Sequence, residues 1–227
     1  MFEYVKLPEL DFELEAITSE SGRVYLVPSG NKYNSITTIL KPYNQHIIEN
    51  WREAVGEEKA NKISGMAARR GEALHLACEK YLLNEMDFKM RQQMMPDTKS
   101  LFLQLKPHLD KSIGNIYAIE QPLYSDNLRI AGRVDCIAEW DNELAVIDFK
   151  TSTKEKLEEY IQNYFQQCTC YAEMYEEITG EPIEKIVVAI ATEEGFAQIF
   201  VRKKQVYLPQ LKQTISNYYL TNQVTML

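Results

Sequence analysis

Apolar positions recur along this chain with a period near two in some stretches and near 3.6 in others, and the changes of period outline its elements. Residues 14 to 18 and 23 to 27 alternate as a hairpin around Ser19, Glu20, Ser21 and Gly22, and a loop follows at 28 to 34. Residues 42 to 55 fit a helix carrying Trp51. Residues 65 to 83 fit a second, with Leu74, Cys78, Tyr81 and Leu82 as its apolar stripe. A third, over 98 to 113, is expected to bend at Pro107, which lacks a backbone N–H. Strands are predicted at 116 to 124, 129 to 140 and 143 to 150. Ser152, Thr153, Lys154 and Glu155 read as a capping box that opens a helix with Leu157, Ile161, Phe165, Cys168, Ala172, Tyr175 and Ile178 on one face. Gly180 and Pro182 end it. Strands at 186 to 192 and 197 to 202 and a helix over 208 to 220 complete the order αβββαββα, which predicts an α/β fold with a central sheet between helices.

The last two of the three consecutive strands carry the informative chemistry. Asp141 and Asn142 suit a two-residue hairpin loop that needs positive φ. Closing the hairpin there sets Asp135 opposite Asp148, with Cβ atoms roughly 5 Å apart, and Lys150 on the same face. Opposed carboxylates each disfavour the other's ionisation, so a cation is needed. A divalent ion taking an oxygen from each answers that need; Lys150 alone, in an ion pair on a solvated face, is the competing reading. A four-residue connection after 124 would pair Glu120 with Arg133 on the same side, as a peripheral metal ligand or, in preference, a salt-bridge partner of Arg133. Gly71, His75 and Glu79 share one helix face, where His75 can join the metal set and Glu79 can accept from its imidazole.

Gly71-Glu72-Ala73-Leu74-His75, Ile119-Glu120-Gln121-Pro122, Gly132-Arg133-Val134-Asp135, Ile147-Asp148-Phe149-Lys150-Thr151 and residues 167 to 171 follow one another in an order that resembles the PD-(D/E)XK nuclease superfamily, and within it the RecB-like exonuclease branch. The resemblance implies a restriction-endonuclease-like mixed sheet flanked by helices, and metal-dependent hydrolysis of single-stranded DNA from an end in replication, repair or recombination. It implies that His75, Asp135, Asp148 and the Phe149 carbonyl hold Mg²⁺ or Mn²⁺ and that Lys150 guides the attacking water. Gln167 and Tyr171 would contact substrate or brace the lysine. Val134 stands where the family name has proline. Residues 35 to 40 also resemble a segment preceding the core in this branch, where hydroxyls meet phosphate; a helix start capped by Ser35 is the alternative. A duplex-acting endonuclease and a DNA-binding subunit that does not cut are the rival functions.

The 227 residues suffice for one α/β domain. It divides into a hairpin and helix at 1 to 60, appended to a nuclease core at 61 to 227. The net charge of −8 opposes a surface coated with nucleic acid. Positive residues nevertheless gather near the motifs, at Arg69, Arg70, Arg129, Arg133, Lys150, Lys154 and Lys156, with Arg69 and Arg70 expected on the strand. Arg202, Lys203 and Lys204 read equally well as a solvated face. No apolar run approaches the roughly 20 residues of a membrane span, and the acidic start resembles neither an export signal nor a transit peptide. A cytoplasmic protein of a bacterium or phage-infected cell is expected, without a membrane partner. Cys78, Cys136, Cys168 and Cys170 lie in apolar periodic segments, which predicts buried thiols rather than an iron–sulfur cluster or disulfides.

Overall fold

In the computed structural model, which describes residues 1–224, an eight-stranded mixed sheet is built around one long central strand. The strands are β1 (Glu15–Ser19), β2 (Gly22–Leu26), β3 (Lys32–Ser35), β4 (Ile113–Ser125), β5 (Ile130–Trp140), β6 (Glu143–Ser152), β7 (Lys185–Thr192) and β8 (Ala197–Lys203). They run β1-β2-β3-β5-β6-β7-β8, with β4 also on β5; β3/β5 and β6/β7 are parallel and the other pairs antiparallel. The helices are α1 (Ile36–Leu40), α2 (Gln45–Val55), α3 (Glu57–Leu82), α4 (Phe88–Gln93), α5 (Pro96–Ser112), α6 (Gln162–Thr179) and α7 (Leu208–Val224). Among the described residues no helix is long and apolar enough to cross a membrane.

Strand alternation divides the core in two. Along β7, Ile186, Val188 and Ile190 pack with α1, α6 and α7, whereas Val187, Ala189 and Ala191 pack with α3 and α5. Both faces of the sheet are therefore covered, and each fully buried Ile or Val contributes about 1.5–3 kcal/mol. The four cysteines are buried within these layers, Cys78 and Cys136 in one and Cys168 and Cys170 in the other. Burial pushes all four thiols up, so they stay neutral.

The β5–β6 hairpin follows the expected register from Trp140↔Glu143 to Cys136↔Ile147, with Asp141 and Asn142 at φ 50° and 61°. Along the edge that faces away from β4, β5 pairs with β3 at Ile130 and Ala131 and with β6 from Cys136 onward. Residues 132–135, the Gly-Arg-Val-Asp stretch, lie between those two ladders. The sheet opens here, and the site is built in the opening.

Two local expectations change. The loop expected at 28 to 34 gives way at Lys32 to β3, a four-residue strand defined only by its neighbours β2 and β5. The capping box at Ser152 is not used, because Ser152 ends β6. The Glu155 and Lys156 amides donate to Glu194 (3.0 Å) and Gln198 (2.8 Å), so the helix begins only at Gln162, after a 3₁₀ turn at Glu158–Tyr160. It ends as expected at Gly180, whose φ of 77° favours glycine. Ser35 caps α1, accepting from the Thr38 amide at 3.1 Å, and the Thr38 hydroxyl is turned inward onto Arg23.

Candidate active site

Asp135 and Asp148 stand one step beyond the last paired residues of β5 and β6. Instead of continuing the ladder, the Phe149 amide donates to Asp135 Oδ2 at 2.8 Å. Because N–H and C=O of one strand residue point to the same side, Phe149 also turns its carbonyl toward β5. The other Asp135 oxygen lies 3.4 Å from His75 Nδ1, which α3 carries over the sheet. Burial favours the neutral forms of both groups. Their mutual attraction prevails, holding the Asp135 carboxyl below its ordinary range and the His75 imidazole above its own.

Asp148 is 1% exposed. Its Oδ1 accepts from Gln167 Nε2 at 3.0 Å, and its Oδ2 lies against the Lys150 ammonium without a directional hydrogen bond. Lys150 is itself mostly covered, 5.3 Å from the ring of Tyr164 on α6. Burial opposes its charge, but Asp148 and Asp135 together keep the ammonium protonated well above the usual lysine range.

Glu120 is placed differently from the expectation. The turn joining β4 to β5 is Asp126 to Arg129, so Ser125 pairs with Ile130 and the register moves by two residues. Pro122 faces Arg133, and Glu120 falls opposite Asp135, between the pairs Gln121↔Val134 and Ile119↔Cys136. Its φ of 48° lies in the left-handed region, uncommon for a glutamate within a strand and worth about 1–3 kcal/mol of strain. The expected salt bridge to Arg133 does not form: that guanidinium meets the Glu120 backbone carbonyl and, at 3.5 Å, the Glu13 carboxylate. The Glu120 carboxylate instead joins His75 and Asp135, with ligand atoms of the three within 4.8 Å of one another. Burial first, and Asp135 second, push its carboxyl up to about 7.

Two clusters thus meet at the opening, the trio His75, Glu120 and Asp135 and the pair Asp148 and Lys150. One imidazole nitrogen among hard carboxylate oxygens is a donor set that could hold a metal ion. Proton uptake on Glu120 is favoured by its burial and by the neighbouring Asp135 charge. Glu79, expected to accept from His75, meets Lys80 at 3.4 Å.

The expected strand contacts separate. Arg69 is exposed on α3, but Arg70 is engaged by Glu193 of the β7–β8 turn. Gln167 and Tyr171 are buried beside the site. Gln167 holds Asp148 and lies 3.4 Å from the Tyr171 hydroxyl. The Tyr171 ring lies on the β5 backbone so closely that a Cβ at Gly132 would come within 2.7 Å of it. Tyr164 was not singled out by the sequence. Nothing in its helical period marks it, since its importance arises from the lysine that β6 delivers beside it.

Residues 41–218 match the family model of the PD-(D/E)XK nuclease superfamily. The chain is 28% identical to mitochondrial genome maintenance exonuclease 1 of Homo sapiens over 143 residues, covering 60% of this chain and 40% of that protein. The same-named protein of Xenopus tropicalis is 28% identical over 167 residues, covering 70% and 46%. One component of the ATP-dependent helicase/nuclease of Clostridium botulinum is 32% identical over 77 residues, 34% of this chain and 6% of that one. The chain therefore spans less than half the length of these curated relatives.

Proposed function

Because the chain belongs to the PD-(D/E)XK nuclease superfamily, we propose that it is a divalent-metal-dependent deoxyribonuclease that degrades single-stranded DNA from an end. The observation that carries this reading is the meeting of His75, Glu120 and Asp135 with the Asp148–Lys150 pair where β5 and β6 part. A structural ion pair has no use for three clustered acids, and a binding protein that does not cut gains nothing from burying them.

His75, Asp135 and Asp148, with the Phe149 carbonyl, would hold Mg²⁺ or Mn²⁺, and Glu120 would complete the set. When bound, such an ion acidifies water and offsets charge on a phosphate oxygen. Lys150, fixed by Asp148 and flanked by Tyr164, orients the attacking water and faces the negative charge that grows at phosphorus. The water oxygen forms the new P–O bond as the bond to the sugar oxygen breaks, and that oxygen leaves by taking up a proton. Gln167 keeps one Asp148 oxygen occupied, which fixes the direction of the other. The exonuclease names of the vertebrate relatives support an end-directed activity.

The test is incubation of the purified protein with end-labelled single-stranded DNA in Mg²⁺, in Mn²⁺ and in EDTA, beside a circular single strand. Metal-dependent release of label with the circle left intact is the expected result. Cleavage of the circle would replace the exonuclease by an endonuclease, and inertness towards every substrate would reject the reading.

A further inference from the structure

A second concavity, of about 740 Å³, lies at the other end of the β3–β5 ladder, between the β2–β3 loop, the β4–β5 turn and α7. Its walls include Asn31, Lys32, Tyr33, Asp126, Arg129 and Tyr219. The aromatic hydroxyls are committed to holding the walls together. Tyr33 donates to Asp126 at 2.6 Å, and Tyr219 donates to the Arg129 carbonyl at 2.5 Å. The cations are not committed. Lys32 and Arg129 are exposed, and among the described residues neither has a carboxylate within ion-pair distance, although the chain carries 33 acids against 25 bases. Arg129 is also held at φ 56° by a tightly anchored turn, a conformation arginine rarely adopts. Two cations outside any ion pair, against one wall acid that accepts from Tyr33, and a tyrosine ring around a polar hollow suit the phosphates and bases of a single strand.

The position of the hollow strengthens this. β3 and β5 are parallel and both run from the cleft toward the opening in the sheet, where Asp135 lies six residues beyond Arg129, about 20 Å away at strand rise. We propose that this cleft is a remote strand-binding subsite, in which Lys32 and Arg129 take phosphates of single-stranded DNA several nucleotides from the bond being cut. The subsite rests on the nuclease reading, and it makes affinity depend on strand length.

Fluorescence anisotropy in EDTA tests it with single-stranded oligonucleotides of about 3 and about 12 nucleotides, chosen to fall short of and to span the two sites. The variants are K32E/R129E and a control, K89E/K99E, which changes net charge equally on α4 and α5. The first variant is expected to bind the longer strand about tenfold more weakly. Its salt dependence, as the slope of log K against log salt, should fall by about 1.4, from roughly 0.7 per phosphate contact. The control should keep both values. K32Q/R129Q, which removes the charges without reversing them, replaces the first variant if that one melts early. Equal losses in cleft and control variants, or parental affinity that is the same for both lengths, would overturn the subsite. If the parent still cuts DNA in Mg²⁺, only the subsite falls; if the parent neither binds nor cuts any strand, the nuclease reading falls with it.

Discussion

The two ends of the β5–β6 hairpin are made from the same two strands and obey opposite rules. At the closed end, Cys136 to Trp140 pair residue for residue with Glu143 to Ile147, Ala138, Ala145 and Ile147 are fully buried, and the turn takes the backbone angles its two polar residues favour. At the open end pairing stops, three acids and a lysine gather, and Glu120 across the strand is held in a strained conformation. One half satisfies its groups internally. The other concentrates three acids beside one lysine and one imidazole, so stability and the candidate chemistry are segregated along a single hairpin.

Exchange of a few atoms at each end tests that segregation. The largest expected effect is at the open end: Asp148→Asn keeps the Gln167 contact but is expected to cut cleavage by about a thousandfold, with melting changed by no more than a few degrees. A loss of rate that merely tracked unfolding would merge the two ends. At the closed end, Ile137→Ala should cost about 3 kcal/mol by leaving a cavity, read by urea unfolding, while the rate per folded molecule stays near that of the parent. Gln167→Ala is expected to weaken Mn²⁺ binding by about 10- to 100-fold in calorimetry, since the Asp148 carboxylate would lose its brace. Asn142→Val, which forces a β-branched residue to positive φ, should destabilise by about 1–2 kcal/mol without changing metal uptake.

The smallest effect joins the two ends. With its carboxyl raised to about 7 by burial and then by Asp135, Glu120 binds its proton more tightly folded than unfolded. Its contribution to metal-free stability is therefore fully present below the unfolded value near 4.5 and is lost as pH rises through about 7. Glu120→Gln should melt a few degrees above the parent at pH 8 in EDTA, match it near pH 5, and take up Mn²⁺ more weakly. Equal melting of the two proteins at pH 8 would show that Glu120 is not under pressure from its neighbours.

The closed end was legible because a two-residue turn fixes register and strand alternation fixes faces, so the approach of Asp135 and Asp148 followed from counting. Strand alternation also put Lys150 on that face and helix spacing put His75 within its reach, and the family pattern gave both their expected roles. Glu120 was misplaced by two residues because the β4–β5 turn depends on Arg129 adopting a left-handed angle that composition does not announce. β3 escaped notice since a strand of four residues is created by its neighbours. Ser152 misled because a capping sequence yields to a strand already paired with β7 and to loop amides claimed by Glu194 and Gln198. Gln167 and Tyr171 read as substrate contacts or braces of the lysine; their depth, and the Gln167 contact to Asp148 rather than Lys150, come from packing that no local pattern records.

Gly132 gives the motif around Asp135 a second meaning. The absent side chain leaves room for the Tyr171 aromatic group, not for an ion, so positions 132 and 171 share one fixed volume across a sequence gap of 39 residues. Enlarging the first to alanine should be tolerated only when the second shrinks, for example to leucine. In descendants of this chain the two sites should drift as a couple, with neither substitution surviving alone.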